Sequence, residues 1–305
     1  MPSISLLDFG IFNEPHAPCM SIISHLIKNI PNYENMGYKR FWLTEHYGDT
    51  SAWTSPEILI SLLSQKSRKI RIGAAGILLK YNNPFRVAQS FSLMNSIFDG
   101  RIDLGLAQGN VVGSYIHALN KTFEAPDQKY FFDQTEELFH FLNQTYQQDH
   151  LYGKIKINPT HKDRLNTWFL GSSEQSTSMA IKYQSNFCLS LFHSQLSYKK
   201  TLHIPELFRD LFYKEYGYIP ECAIALKCYS SENKKNIEKF RYIIDNSPWF
   251  NKSHAMIGSI NEISDKILDL CYLYKVDDIV IVNEFIDLEE KIETAEAYSL
   301  SLLKR

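Results

Sequence analysis

Short apolar segments that end in small or ionisable residues recur along this chain, and their repetition limits the folds open to it. Phe41-Trp42-Leu43-Thr44-Glu45-His46-Tyr47 reads as a buried strand running into an ionisable pair. Ile70 to Ala75 repeats the pattern and runs into Ala74-Ala75-Gly76. Ile102 to Gln108 does so a third time, ending in Leu106-Ala107-Gln108-Gly109, with the strand itself predicted at Ile102–Ala107. A parallel barrel builds its site from such C-terminal strand ends. Further strands are predicted at Ile4–Asp8, Thr167–Leu170, Phe187–Leu191, Cys222–Cys228 and Asp278–Val282, with the second spanning Arg40–Thr44. Most are continuous apolar runs, as expected of strands covered on both faces.

Helical patterns lie between them. Met20 to Met36 carries Ile22, Ile23, Leu26, Ile27 and Ile30 as one stripe. Ser55-Pro56 opens the next helix, with Ser55 as cap and proline at the first helical position. Phe85–Ile97, Phe131–Tyr146, Ser173–Tyr183, Glu232–Ile244, Asn261–Tyr274 and Leu288–Leu303 complete the set. This alternation predicts an α/β fold, a (β/α)8 TIM barrel with extended loops at its C-terminal face, as one domain over residues 1–305. No GxGxxG follows the first strand, which argues against a dinucleotide fold. Gln108–Lys129 and Phe192–Ile219 are longer than ordinary connections and read as lids or substrate walls.

Composition narrows the partners. Formal charge is −2 with no basic stripe, so nucleic acid is not expected. No apolar run approaches the ~20 residues that span a bilayer, and Met1 to Asp8 has no basic region ahead of an apolar run. The expectation is a cytoplasmic protein without membrane contact. The five cysteines (Cys19, Cys188, Cys222, Cys228, Cys271) are scattered, with no CxxC, and read as buried reduced thiols with no metal site.

Among candidate site residues, His46 stands just beyond a strand end, where an imidazole with a pKa of ~6.5 can trade protons near neutral pH. Alternation turns Glu45 the other way, toward backbone or helix. Ala74-Ala75-Gly76 offers almost no side-chain bulk. Gly171-Ser172-Ser173, with Ser176 one turn into the next helix, presents free N–H groups and hydroxyls suited to an anion. Phe9, Phe12 and Tyr47 at strand ends suit an apolar pocket for a hydrophobic substrate. His16, His117, His193 and His254 read as solvated or capping histidines.

Several runs together resemble the luciferase-like flavin monooxygenases, and within them the single-component type of natural-product pathways. They are Glu34-Asn35-Met36-Gly37-Tyr38-Lys39-Arg40-Phe41-Trp42-Leu43-Thr44-Glu45-His46, Ile70 to Leu79 with Pro84, Phe98-Asp99-Gly100-Arg101-Ile102-Asp103-Leu104-Gly105-Leu106, Trp168-Phe169-Leu170-Gly171-Ser172-Ser173 and Met256-Ile257-Gly258-Ser259. The resemblance implies oxidation of a small organic substrate by O2 and reduced FMN through a flavin C4a-peroxide, with a separate flavin reductase and a homodimer or heterodimer packed through the helices after strands two and three. It places His46 at the flavin ring, a cis Ala75–Gly76 peptide and Ala107 beside the ring, and Gly171, Ser172, Ser173 and Ser176 at the phosphate. Gln108 stands where many relatives hold arginine, and Lys129 is the candidate for the missing charge. Lys80 stands where relatives tend to have proline. The alternatives are F420-dependent hydride transfer and a non-catalytic flavin-binding or partner subunit of the same fold.

Overall fold

A computed structural model of the chain describes residues 2–11, 19–121, 124–194, 198–246, 255–282 and 288–303. Phe12, His16 and His254 lie outside the described residues. Strands β1 (Ser3–Asp8), β2 (Arg40–Leu43), β3 (Arg71–Leu78), β4 (Ile102–Ala107), β5 (Asn166–Gly171), β6 (Asn186–Ser190), β7 (Cys222–Ser230), β8 (Ala255–Gly258) and β9 (Asp278–Val282) alternate with helices. These are α1 (Cys19–Asn35), α2 (Pro56–Lys66), α3 (Pro84–Ile97), α4 (Ser114–Asn120), α5 (Gln128–Asn143), α6 (Glu174–Lys182), α7 (Tyr198–Thr201), α8 (His203–Tyr216), α9 (Lys234–Asn246), α10 (Ile260–Tyr274) and α11 (Leu288–Leu303).

Eight strands form the ring in the order β6-β5-β4-β3-β2-β1-β9-β7, and a β6–β7 pairing closes it. All neighbours are parallel, the β1–β9 pair joining the first and last strands of the ring from Ser3↔Asp278 to Leu7↔Val282. The eight predicted strands are therefore the barrel. β8 is an addition, pairing with β7 only from Lys227 to Ser230. It contains Met256-Ile257-Gly258 of the last resembling run, a strand not predicted from sequence, and Ser259 after it forms a capping box with Glu262 at the start of α10.

The other correction concerns Phe192–Ile219. Most of that segment is helix, not open loop. In α8 the side chains of Ile204, Phe208 and Phe212 recur every four residues and bury one stripe against the barrel. Pro205 resembles a breaker but sits in the first turn, where its missing N–H costs no helical bond. Gln108–Lys129 likewise contains α4. Ser55 precedes α2 without a side-chain cap bond, whereas Asn83 caps α3 by accepting from the Arg86 N–H.

Side chains pointing into the barrel fall into layers. At the N-terminal end a buried ionic network forms the floor. Arg40 is fully buried, with Nη2 2.7 Å from Glu221, Nε 3.1 Å from Asp278 and Nη1 3.8 Å from Asp103. Its guanidinium carbon lies 4.5 Å from the Trp168 ring centroid and 5.4 Å from that of Trp42. Ser5 donates to Asp278, and Asp103 accepts from Trp42, Arg71 and Asn166. Burial pushes the Asp103 carboxyl up, but Arg71, Arg40 and these donors outweigh it and hold its pKa below the usual range. Above the floor, Leu7, Trp42, Trp168, Cys188, Ala223 and Val280 fill the middle, and Ala75, Ala225, Val282 and Phe192 continue toward the C-terminal end. The described cysteines are all free thiols, and no helix among the described residues is long and apolar enough to cross a membrane.

Candidate functional site

At the C-terminal rim four ring systems from three strand ends meet in a chain. His46, after β2, lies edge-on to Phe9, after β1, with centroids 6.3 Å apart. Phe9 is edge-on to Phe192, after β6, at 6.0 Å. Phe192 in turn lies 4.3 Å from His193. The Lys227 ammonium, on the outgoing end of β7, sits 5.1 Å from the Phe9 centroid and 5.4 Å from that of Phe192. The structure brings the candidate residues His46 and Phe9 together, and adds Phe192, His193 and Lys227. Alternation from Ala223 and Ala225 points to Lys227 as the next inward position of β7, so a register argument was available for it. None was available for His193, which depends on a turn of 3-10 helix at 191–193.

His193 is exposed at the rim, in keeping with the solvated position expected of it. Its Nδ1 lies 2.9 Å from Ser190 Oγ. Solvent reaches its ring, yet protein surrounds enough of it that burial, and then Lys227, lower its pKa to about 4. It is therefore neutral near pH 7. Glu45 behaves as alternation predicted. It is buried and accepts from the Leu78 N–H at 2.8 Å, from Asn82 at 2.9 Å and from the Tyr47 hydroxyl at 2.8 Å. Burial raises its pKa against the pull of those donors. Tyr47, bound to Glu45, packs with Tyr115 at 5.7 Å on the β3–β4 side of the rim.

The opposite wall is almost bare of side chains. Ala75 is buried among the inward side chains, whereas Ala74, expected beside it, packs by alternation into the core between the strands and the helices; the Ala75–Gly76 peptide is cis, as expected. The β3–β4 ladder shifts register between Ala74 and Ile77, leaving residues 75 and 76 outside it. A Cβ at Gly76 would stand 2.9 Å from the Gly105 carbonyl oxygen and 3.0 Å from the Ala107 nitrogen, so only glycine fits. Ala107 is half-buried at the end of β4.

Beside this wall lies the Gly171 turn. A Cβ at Gly171 would come within 2.0 Å of Ser176 Oγ, so the turn closes directly on the first turn of α6. Ser173 Oγ and Ser176 Oγ are 3.5 Å apart, and Ser172 is half-buried next to them. Gln128 Nε2 donates to Gln108 at 3.3 Å and to Gln175 at 3.0 Å. Gln128, which nothing in the sequence singles out, is thus the residue that meets Gln108; Lys129, next in the chain, is exposed. Three neutral amides stand beside the turn. The departure at Lys80 also has a local explanation. Its ammonium binds Asn110 and the Pro126 carbonyl, its own carbonyl accepts from Asn120, and so it ties the connection after β4 to the rim.

The comparisons with known proteins agree with this geometry. A model of the family described as luciferase-like monooxygenase matches residues 7–206. The chain belongs to that family. N-acetyl-S-alkylcysteine monooxygenase of Bacillus subtilis is 30 % identical over 196 residues, a match covering 63 % of this chain and 58 % of that protein. The uncharacterised YwcH of the same organism is 23 % identical, over 96 % of this chain and 97 % of its own. Among solved structures, the monooxygenase RslO1 of Streptomyces bottropensis superposes with a TM-score of 0.83 at 14 % identity, covering 99 % of both chains. An F420-dependent secondary alcohol dehydrogenase gives 0.76 at 13 %, covering 99 % of both. The oxygenating constituent of 3,6-diketocamphane monooxygenase from Pseudomonas putida, in complex with FMN, gives 0.75 at 14 %, covering 99 % of this chain and 98 % of its own. These three share the barrel fold of this chain.

Proposed function

We propose that this chain is a flavin-dependent monooxygenase that uses reduced FMN, delivered by a separate reductase, and O2 to oxidise a small and largely hydrophobic organic substrate. The observation that carries the reading is the bare wall of Ala75, Gly76 and Ala107 on one side of a rim that holds His46, Phe9 and Phe192. A flat ring system needs backbone close to one face and a proton-handling group near its edge, and these residues provide both. They fit the flavin. Ala75, Gly76 and Ala107 would flank its ring, and Gly171, Ser172, Ser173, Ser176, Gln108, Gln128 and Gln175 would hold its phosphate through N–H and O–H donors. When bound, reduced flavin supplies the electrons that activate oxygen. His46 holds or accepts a proton at an imidazole nitrogen, and Phe9 and Phe192 exclude water from the reacting face. Tyr47 extends the apolar lining in this reading.

Anaerobic titration with reduced FMN, followed by oxygen admission, tests it. Saturable binding and rapid oxygen consumption are expected. Binding of reduced F420 in place of FMN moves the function to hydride transfer, and no binding of either moves it to a partner subunit.

The phosphate site has donors but, among the residues named here, no guanidinium. Flavin affinity is therefore expected to change little with salt. Gln108→Arg, which adds a bidentate charged grip, should tighten FMN binding about tenfold and introduce a salt dependence. Unchanged affinity in that variant would place the phosphate elsewhere.

We further propose a dimer packed through α2 and α3. Ile58 and Leu62 on α2, and Leu93 and Ile97 on α3, are exposed apolar side chains spaced one turn apart. Sedimentation should give a dimer, which Leu62→Asp with Ile97→Asp converts to monomer. A monomeric wild-type protein refutes the arrangement.

A further inference from the structure

The Ala75–Gly76 wall lies where β3 has lost both of its ladders. The β2–β3 ladder ends at Leu43↔Ala74. On the other side, the β3–β4 ladder breaks after Ala74 and resumes at Ile77↔Leu106. Glu45, just beyond the end of β2, bridges the gap with its side chain. One carboxylate oxygen, Oε2, accepts from the Leu78 N–H at 2.8 Å and from Asn82 Nδ2 at 2.9 Å, and the other, Oε1, accepts from the Tyr47 hydroxyl at 2.8 Å. Asn82 also donates to the Leu78 carbonyl at 3.0 Å, so both backbone polar groups of Leu78 are tied to this pair. Glu45 is 6 % exposed. Its partners here are all donors, which engages both oxygens of the carboxylate as acceptors. Past Ala74 a side chain thus joins the two strand ends that the ladder joined below.

We propose that Glu45 is a positioning residue for the flavin, one that sets the Ala75–Gly76 wall at a fixed distance from the end of β2 that carries His46. The inference rests on the flavin reading of this same site. Glu45 and His46 are consecutive, so the carboxylate that anchors the wall also anchors the backbone from which the imidazole projects. The wall is pinned upstream by the ladder at Ala74 and downstream by Glu45 at Leu78. Between those points Ala75 and Gly76 have little side-chain packing of their own to hold them. A buried carboxylate with satisfied oxygens keeps one geometry, because no water is at hand to exchange for its donors. Misplacing reacting groups by ~1 Å costs on the order of 10²-fold in rate, so a rim assembled from separate strand ends gains from such a tie. The role is geometric. Glu45 has to present acceptor oxygens to Leu78 and Asn82, and has no proton to trade.

Variants of the full chain test this, first by hydrogen–deuterium exchange without flavin and then by anaerobic titration with reduced FMN. Glu45→Met keeps the volume and removes both acceptors. Exchange over residues 75–82 should rise while the rest of the barrel holds, and reduced-FMN affinity should fall about tenfold, the order of one buried hydrogen-bond partner lost. Glu45→Gln is the rescue. Its amide oxygen takes the Leu78 and Asn82 bonds and its amide N–H donates to the Tyr47 hydroxyl, so both readouts should return to within about threefold of wild type. Asn82→Leu leaves the bond between the carboxylate and Leu78 and should show a smaller loss of the same kind, which reads the tie even where Glu45→Met does not fold. Either readout unchanged in Glu45→Met, or in Asn82→Leu where Glu45→Met does not fold, overturns the proposal. So does a Glu45→Gln variant as impaired as Glu45→Met, since charge and not geometry is then the active property. Wild-type protein that binds no reduced FMN sinks the flavin reading and this role with it, and that outcome is read before any variant is made.

Discussion

Replacing Arg40 with methionine is expected to cost about 3–5 kcal/mol of folding stability, the range for removing one partner from a buried ion pair. Arg40 has no exposed side-chain surface and faces Glu221, Asp278 and Asp103, of which the two aspartates are also fully buried. Without the guanidinium, Asp278 keeps Ser5 but loses its nearest cation. Asp103 keeps Arg71, Trp42 and Asn166, so most of the loss should arise at Asp278. Burial already raises the Asp278 pKa against the pull of Arg40 and Lys39. The truncated variant should therefore protonate Asp278 rather than hold it as an unpaired anion. Urea titration measures the loss. Adding Asp278→Asn to Arg40→Met should recover much of it by removing the stranded carboxylate. If Arg40→Met alone costs under ~1 kcal/mol, the floor is not held by charge pairing and the stacking of Arg40 on Trp168 and Trp42 carries no great weight either.

His46→Ala should leave reduced-FMN binding within a few-fold of wild type and lower oxygen turnover by roughly 10²–10⁴, the span of general acid–base contributions. The imidazole is exposed at the rim and lies edge-on to Phe9, outside the core. Truncation there opens no buried cavity, and thermal stability should hold. Binding and turnover falling together would make His46 a packing residue of the flavin site. Turnover equal to wild type would transfer the proton to another group, with His193 the nearest second imidazole in the chain of rings. His193→Gln, measured in parallel, separates these outcomes.

Most of the barrel was legible because parallel strands covered on both faces must be apolar throughout. Ile102–Ala107 and Asp278–Val282 were located to the residue for that reason. At the floor, charged interior positions interrupt such runs where Arg40 and Asp278 open their strands. The segments that misled were those whose local cues point two ways. Pro205 masks a helix whose Ile204, Phe208 and Phe212 stripe is regular. Ala255–Gly258 is too short to carry a period, and it becomes a strand only because the end of β7 lies open beside it.

The candidate site divides along the same line. The chain's own residues determined which positions carry a rim histidine, a side-chain-free wall and a serine-rich turn, because alternation and strand length place them at one end of the ring. Which residues stand beside them was decided by closure of the barrel. Phe9, Phe192 and Lys227 are far apart in sequence and meet only because β1, β6 and β7 end at the same rim. Gln128 reaches Gln108 because α5 begins against that rim, a contact that no spacing encodes. Local pattern specifies what each strand end offers; the shear and closure of the ring specify what it is offered to.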